Sequence, residues 1–468
     1  MQFNYCIMTI WRPDITALDG PRYKAIADCL AEDIRQGRLG AGERLPTHRD
    51  LAEHLDLTVG TITRAYQEAE RRGLVRGEVG RGTFVSEEEL AGDPLLTPGR
   101  ENDGLIDLGL NLPLYSEDPD LAGALRTIAR RRDLSDLLSY QPFNGSERHR
   151  RVGAAWVNRH GLNIGADQVV ITGGAQHAIT VVLGTLCRSG QTVIAEPLTY
   201  PGLKTAASLL GLNVAAAPMD EEGMQPRALE ELIHKSGAKV LYCMPTLHNP
   251  TTATMSAERR QAIADVSRRN NLQVIEDDVH RLLEPEAPEP LAVLIPERTY
   301  YIASTSKVLA GGLRVAFVAA PAEHVERLTF AVAASLWALP PLSMEVAALW
   351  INDGTADEVL ERKRAEAAAR QNLARRLLPA DSFLTSPQSY FLWLRLPASW
   401  LPERFTAAAR DLGVVVTPAE AFTIGDIAPP AGVRVSLSAP LERDDVEAGL
   451  KILAELLKRG PEPQAAIV

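Results

Sequence analysis

Over the first 85 residues the apolar positions recur at helical spacing. In "YKAIADCLAEDIRQGRL", Ile26, Ala27, Leu30 and Ile34 fall on one face, and Gly37 and Gly40 stop the helix. A second helix begins in "LPTHRDLAEHLDL", where Thr47 is a cap with Asp50 three residues on, and Leu51, Ala52 and Leu55 form the stripe. Thr58 caps a third, "VGTITRAYQEAERRG", whose inward face is Ile62, Ala65, Tyr66 and Ala69 and whose end is Gly73. "LVRGEVGRGTFV" then alternates apolar and polar residues about a glycine-rich tip, the pattern of a two-stranded hairpin.

The pattern changes further along. Residues 86–104, "SEEELAGDPLLTPGRENDG", have no periodicity and form a tether. Beyond it, "QVVITGG", "TVIAEP", "KVLYCMP", "LQVIEDD", "TYYIAST" and "LRVAFVAA" are short strand-like runs separated by helical stretches. This predicts an α/β domain with a mostly parallel sheet covered on both faces, over about residues 105–330. From 331 to 460, long helices with "SYFLWLRLP" and "VRVSLSA" predict a smaller C-terminal α+β subdomain.

Composition fits several domains. The chain has 468 residues, 46% hydrophobic and 23% charged, the balance of a large globular core. Four cysteines, Cys6, Cys29, Cys187 and Cys243, show no paired spacing, which argues against a disulfide framework or a metal site. With no signal-like N-terminal run and no apolar stretch of membrane-spanning length, the expected location is the cytoplasm. The net charge of −11 argues against nucleic acid only if it is spread evenly. Residues 1–85 hold 12 Lys+Arg and 12 Asp+Glu, so the rest of the chain carries the whole −11.

Two short helices joined tightly and followed by a hairpin make a winged helix-turn-helix over residues 12–85, an α+β unit. Its third helix would enter the major groove of operator DNA with Thr58, Thr61 and Arg64. Thr47, Arg49 and the wing residues Gly80, Arg81, Gly82 and Thr83 would lie toward the backbone or minor groove. A small helical module without a nucleic-acid role is the plainer alternative.

The strand ends of the larger domain carry the candidate chemistry, because ligands of such sheets gather there. Gly173-Gly174-Ala175-Gln176 opens a helix after "VVIT", where backbone N–H groups suit a phosphate. Tyr200 is an aromatic plate and Asn249 a hydrogen-bond donor for a ring oxygen. Asp277 and Asp278 supply carboxylates for a protonated ring nitrogen, and Lys307 stands between Ser304 and Arg314. Each has an ordinary structural explanation alone: core aromatic, turn residue, helix cap, surface charge. Together, in order, they describe a pyridoxal 5′-phosphate pocket with Lys307 as the Schiff-base amine.

The stretch 45–85 resembles the winged helix of GntR-type transcription regulators, although Val59 stands where that family often has arginine. Residues 105–455 resemble a fold-type I aminotransferase. That resemblance gives Lys307 the internal aldimine, Asp277 the pyridine nitrogen, Asn249 the 3′-oxygen and Tyr200 the stacking face. It gives Ser304, Arg314 and the amides of Gly174, Ala175 and Gln176 the phosphate. Tyr140, in "SYQPFNGSERHR", matches the tyrosine that reaches a neighbouring subunit's phosphate, implying a homodimer. Arg434 matches the arginine that grips a carboxylate. His280 departs from the family, which has tyrosine three residues after the aspartate. The two parts together resemble MocR-type regulators. The implied function is a pyridoxal phosphate-dependent transcription factor responding to an amine or amino acid. A working aminotransferase with an appended winged helix is the competing reading, and a regulator sensing the cofactor alone a third.

Overall fold

The computed structural model describes residues 11, 13, 21–35, 38–39, 42–71, 74–78, 82–85, 104–425 and 427–460, and the chain divides into two units, 1–97 and 98–468. In the first unit, α1 (Arg22–Arg35), α2 (His48–Leu55) and α3 (Val59–Arg71) precede β1 (Val75–Glu78) and β2 (Gly82–Val85). Ile26, Leu30, Leu51, Ile62, Ala65 and Tyr66 are buried in one core, so the apolar stripes of the three helices meet. The caps are local and explicit. Thr47 Oγ1 accepts the N–H of Asp50 at 3.2 Å, and Thr58 Oγ1 accepts that of Thr61 at 3.2 Å. Between them Asp56 turns the chain with φ of 53°. Tyr66 Oη donates to the carbonyl of Pro46 at 2.9 Å, tying α3 to the entry of α2. Strands β1 and β2 pair antiparallel with Val75 opposite Val85.

The second unit is built on a seven-stranded sheet of β3 (Val169–Thr172), β4 (Thr192–Ala195), β5 (Asn213–Ala216), β6 (Val240–Cys243), β7 (Gln273–Asp277), β8 (Thr299–Ser304) and β9 (Ala316–Ala319). Their order is β3-β9-β8-β7-β6-β4-β5. The pairs β8–β7, β7–β6, β6–β4 and β4–β5 are parallel. Strand β9 is antiparallel to both of its neighbours, so the sheet is mixed. Alternate residues of one strand join different cores: Ile171 packs with Trp156, Tyr301 and Phe317, whereas Val170 packs with Ile179, Ile275 and Ile302. Burial on both faces explains why these strands read as continuous apolar runs. The reversed strand has a functional consequence. It brings the residues just before β9, including Arg314, to the edge where the other strands end.

Strands β10 (Phe383–Leu384), β11 (Phe391–Arg395), β12 (Thr417–Pro418) and β13 (Gly432–Ser436) form a second sheet, ordered β10-β11-β13-β12 and antiparallel throughout. Its core includes Phe405, Val433, Val435, Leu450 and Leu453. Residues Ile106–Asp107 pair in parallel with Val414–Val415, so the chain joins this C-terminal region before it enters the large sheet. The hydrophobic pattern shows neither this short pairing nor β5, a half-exposed edge strand of Asn, Val and Ala with no alternation. Among the described residues no helix is long and apolar enough to cross a membrane.

Candidate cofactor pocket and nucleic-acid interface

The strand-end residues of the second unit meet as one group. Gly174 caps the helix Ala175–Leu186 with φ of 90°, and a Cβ there would overlap the Arg314 guanidinium. This glycine is required on both counts, conformation and space. Its own N–H donates to the carbonyl of Thr172 at 2.9 Å, so the first-turn amides left for an anion are those of Ala175 and Gln176 rather than all three. Arg314 itself turns the chain with φ of 55° directly before β9. Ser304 is buried at the end of β8; its hydroxyl accepts the N–H of Ser306 at 3.1 Å and lies 3.1 Å from Ser306 Oγ. Ser306 therefore joins the hydroxyl group of the site, a residue the spacing did not single out.

Tyr200 ends the loop after β4 and caps the helix Pro201–Leu209. A Cβ on Gly202 would overlap both the Tyr200 ring and Gln176 Oε1, so this second glycine holds the plate close to the helix N-terminus. Gln176 Nε2 donates to the carbonyl of Gly202 at 2.8 Å, linking the two loops.

Asp277 ends β7 and is fully buried. Its Oδ2 accepts the Tyr242 hydroxyl at 2.6 Å, while Oδ1 has no hydrogen-bond partner among the described residues. Burial pushes this carboxyl up to about 6; the Tyr242 hydrogen bond, the Val279 backbone N–H and the Lys307 charge oppose the rise, and Asp278 adds to it. Lys307 Nζ donates to the carbonyl of Asn111, and Tyr390 Oη donates to the backbone carbonyl of Lys307 at 2.8 Å. Desolvation, then the guanidinium groups of Arg434 and Arg314, bring the Lys307 amine down to about 7. That is the range in which an amine is both present as a nucleophile and able to carry a proton.

Asn249 and Arg434 are also joined. Arg434 Nη1 donates to Asn249 Oδ1 at 2.9 Å and Nη2 to the carbonyl of Gly109 at 2.6 Å. The Phe422 ring lies 4.8 Å from the guanidinium carbon. Buried His280 lies 3.3 Å from the Asn111 amide through Nε2 and packs edge-on to Phe391. Burial and the Lys307 and Arg434 charges push its imidazole down to about 3, so it is neutral. Tyr140 stands apart, 90% exposed, with its ring centroid 5.9 Å from that of Trp337. The orphaned Asp277 oxygen, the guanidinium against a glycine-capped helix and the depressed lysine fit pyridoxal phosphate. Asn111, Tyr242 and Tyr390 were not evident in the sequence, because each acts through a contact made only after folding.

In the first unit, Arg49 is exposed on α2 and Arg64 on α3, the latter with its guanidinium carbon 4.8 Å from the Tyr23 ring centroid. Thr58 and Thr61 are partly committed to capping, their hydroxyl oxygens 2.9 Å apart. His48 reaches Thr63 Oγ1 at 3.2 Å and so joins the exposed start of α2 to α3, a contact the sequence did not suggest. Val59 is 45% exposed at the first position of α3. Gly82 and Thr83 lie in β2, and a Cβ on Gly82 would come 2.9 Å from Arg44 Nε. Gly80 and Arg81 lie outside the described residues.

Comparison with known proteins agrees with both units. Residues 22–85 match the model of bacterial regulatory proteins of the gntR family, and residues 103–453 match aminotransferase class I and II. An uncharacterized HTH-type transcriptional regulator of Bacillus subtilis, YdeF, is 35% identical over 447 residues, 96% of each chain. The vitamin B6 salvage pathway transcriptional repressor PtsJ of Salmonella typhimurium is 28% identical, covering 90% of this chain and 95% of its own. Among solved structures, LysN, an α-aminoadipate aminotransferase of Thermus thermophilus complexed with N-(5′-phosphopyridoxyl)-L-leucine, aligns with a TM-score of 0.68 at 26% identity, over 76% of this chain and 93% of its own. A gntR winged helix and a pyridoxal phosphate-dependent aminotransferase domain in one chain, matched end to end by HTH-type regulators, place this protein in the MocR-type group of GntR transcription regulators.

Proposed function

We propose that this regulator is a homodimer in which an amine or amino acid entering the pyridoxal phosphate pocket changes how the winged helices hold operator DNA. The observation that carries the reading is buried Arg434, a cation beside Asn249 and Lys307 whose fork matches a carboxylate. Pyridoxal phosphate supplies an aldehyde for the amine and an electron-withdrawing ring. The chain's own residues do the rest. Lys307 would offer the amine, Asp277 would pair with the ring nitrogen through Oδ1, and Tyr200 would stack on the ring. The amides of Ala175 and Gln176, with Ser304 and Arg314, would hold the phosphate. Tyr140, exposed in the single chain, serves a partner subunit's pocket. A ligand shifts DNA affinity only by binding two arrangements of the dimer unequally, and DNA must then shift ligand affinity by the same factor.

The test is a titration of the purified protein with amines and amino acids, following the cofactor spectrum and operator binding together. Coupled changes in both support the reading; a spectral response with DNA affinity unmoved removes it. A working aminotransferase is the second reading, favoured by the lowered Lys307 amine. Sustained conversion of an amino acid with a keto-acid acceptor would distinguish it.

A further inference from the structure

Tyr242 lies on β6 opposite Ile275, two residues before Asp277 on β7, so its side chain and that of Asp277 share a face of the sheet. Both residues are fully buried, and the phenol donates to Asp277 Oδ2 at 2.6 Å. The surroundings are poor in compensating charge. Beyond β4, the carboxyl of Glu196 is wholly buried, with Oε1 accepting the N–H of Met244 at 3.2 Å and Oε2 without a partner. Asp278 follows Asp277 directly, and besides the Tyr242 hydroxyl it is the Val279 backbone N–H and the Lys307 charge that favour the ionised form of Asp277. A carboxyl so placed tends to take up a proton, and a protonated Asp277 cannot hold a protonated ring nitrogen.

We propose that Tyr242 is a positioning residue that keeps Asp277 ionised and, by occupying Oδ2 alone, aims Oδ1 at the ring nitrogen of the cofactor. The inference rests on the pyridoxal phosphate reading and deepens it. Tyr242 suits the task because burial and the neighbouring acids raise its own ionisation well above the ordinary phenol range, so it always has a proton to donate. The bond is also one-sided. A phenol has one hydrogen, so it satisfies one carboxylate oxygen and leaves the other for the ligand.

The structure supplies an internal control. Tyr301 Oη donates to Asp278 Oδ2 at 2.9 Å, a buried phenol–carboxylate bond of the same kind one residue along. Loss of either bond disturbs a buried acid, but only Tyr242 touches the one facing the ring. The experiment compares Tyr242→Phe, Tyr301→Phe and Asp277→Asn in the full-length protein. Pyridoxal phosphate affinity, the ¹⁵N shift of ring-labelled cofactor and thermal unfolding of the cofactor-free protein are measured in each.

Tyr242→Phe should weaken cofactor binding about tenfold and move the ring-nitrogen signal toward the unprotonated form, part of the way reached by Asp277→Asn. Tyr301→Phe should lower thermal stability while leaving the ring signal and the affinity as in wild type. If Tyr242→Phe does not fold, trifluorotyrosine at 242 keeps the shape and loses its proton at lower pH. Ring protonation should then decline with rising pH where wild type holds it. A wild-type ring signal in Tyr242→Phe, or equal changes in both phenylalanine variants, overturns the proposal. Failure of wild type to take up pyridoxal phosphate removes the cofactor reading itself, and this inference with it.

Discussion

Arg434 Nη1 donates to Asn249 Oδ1 at 2.9 Å, bridging strand β13 of the C-terminal sheet and the turn that follows β6 of the large sheet. The bond fixes the amide of Asn249: with its oxygen engaged, the nitrogen is the face left for a ring oxygen. It also means that a carboxylate arriving at Arg434 meets a guanidinium already shared with Asn249 and the Gly109 carbonyl. If an effector carboxylate docks on Arg434 as proposed, its contact and that of Asn249 with the cofactor would be joined through one side chain.

Replacement of Arg434 tests that junction. Arg434→Ala should retain the covalent cofactor, lose the spectral change on adding an amino-acid effector, and lose the effector's influence on DNA. A charge-assisted contact is worth about 1.5–3 kcal/mol, so effector affinity should fall at least about tenfold. Arg434→Lys, which keeps the charge and loses the fork, should recover only part of it. Wild-type affinity in the alanine variant would exclude a carboxylate at this position.

Lys307 should carry the covalent link. Borohydride treatment of the loaded protein should leave the reduced cofactor on the peptide containing Lys307, and Lys307→Ala should bind pyridoxal phosphate without that adduct. The pH dependence follows from the amine at about 7. Only the neutral amine attacks an aldehyde, so the rate of cofactor capture should fall about tenfold per unit below that pH and level off above it. A midpoint near the ordinary lysine range would show that neither burial nor the Arg434 and Arg314 charges lower the Lys307 amine.

Asp277→Ala should weaken pyridoxal phosphate binding and alter the cofactor spectrum, while Asp278→Asn should not. Each carboxylate has one oxygen engaged by a phenol and one left over, so the distinction comes from their surroundings: the Lys307 charge acts on Asp277, whereas Asp278 is held by Tyr301. Absorption spectra and dissociation constants of the two variants check it, and a larger effect from Asp278→Asn would exchange the roles.

In the winged helix, Arg49→Ala and Arg64→Ala should each weaken operator binding. Loss of one phosphate contact should reduce the log–log salt slope by about one. Arg64 also packs against Tyr23, so its variant should cost some stability of α1 against α3, seen as a lower unfolding midpoint than for Arg49→Ala. Wild-type binding by both variants would favour the appended-domain reading.

Local signals were sufficient for much of this protein. The Thr47 and Thr58 caps, the stripe of Ile62, Ala65, Tyr66 and Ala69, and the two-stranded wing depend on neighbours in sequence, and spacing alone revealed them. The order of Gly174, Tyr200, Asn249, Asp277 and Lys307 along the chain was legible for a related reason: parallel strands deliver their ends to one edge. Tertiary structure decided what those residues touch. That Arg434 engages Asn249 from 185 positions away, that Tyr242 holds one oxygen of Asp277, and that the Gly174 amide is spent on Thr172 are products of strand register and burial. The reversed β9, which carries Arg314 to the edge where the parallel strands end, is another. Periodicity records which face of an element is buried, but not which element lies opposite or in which direction it runs.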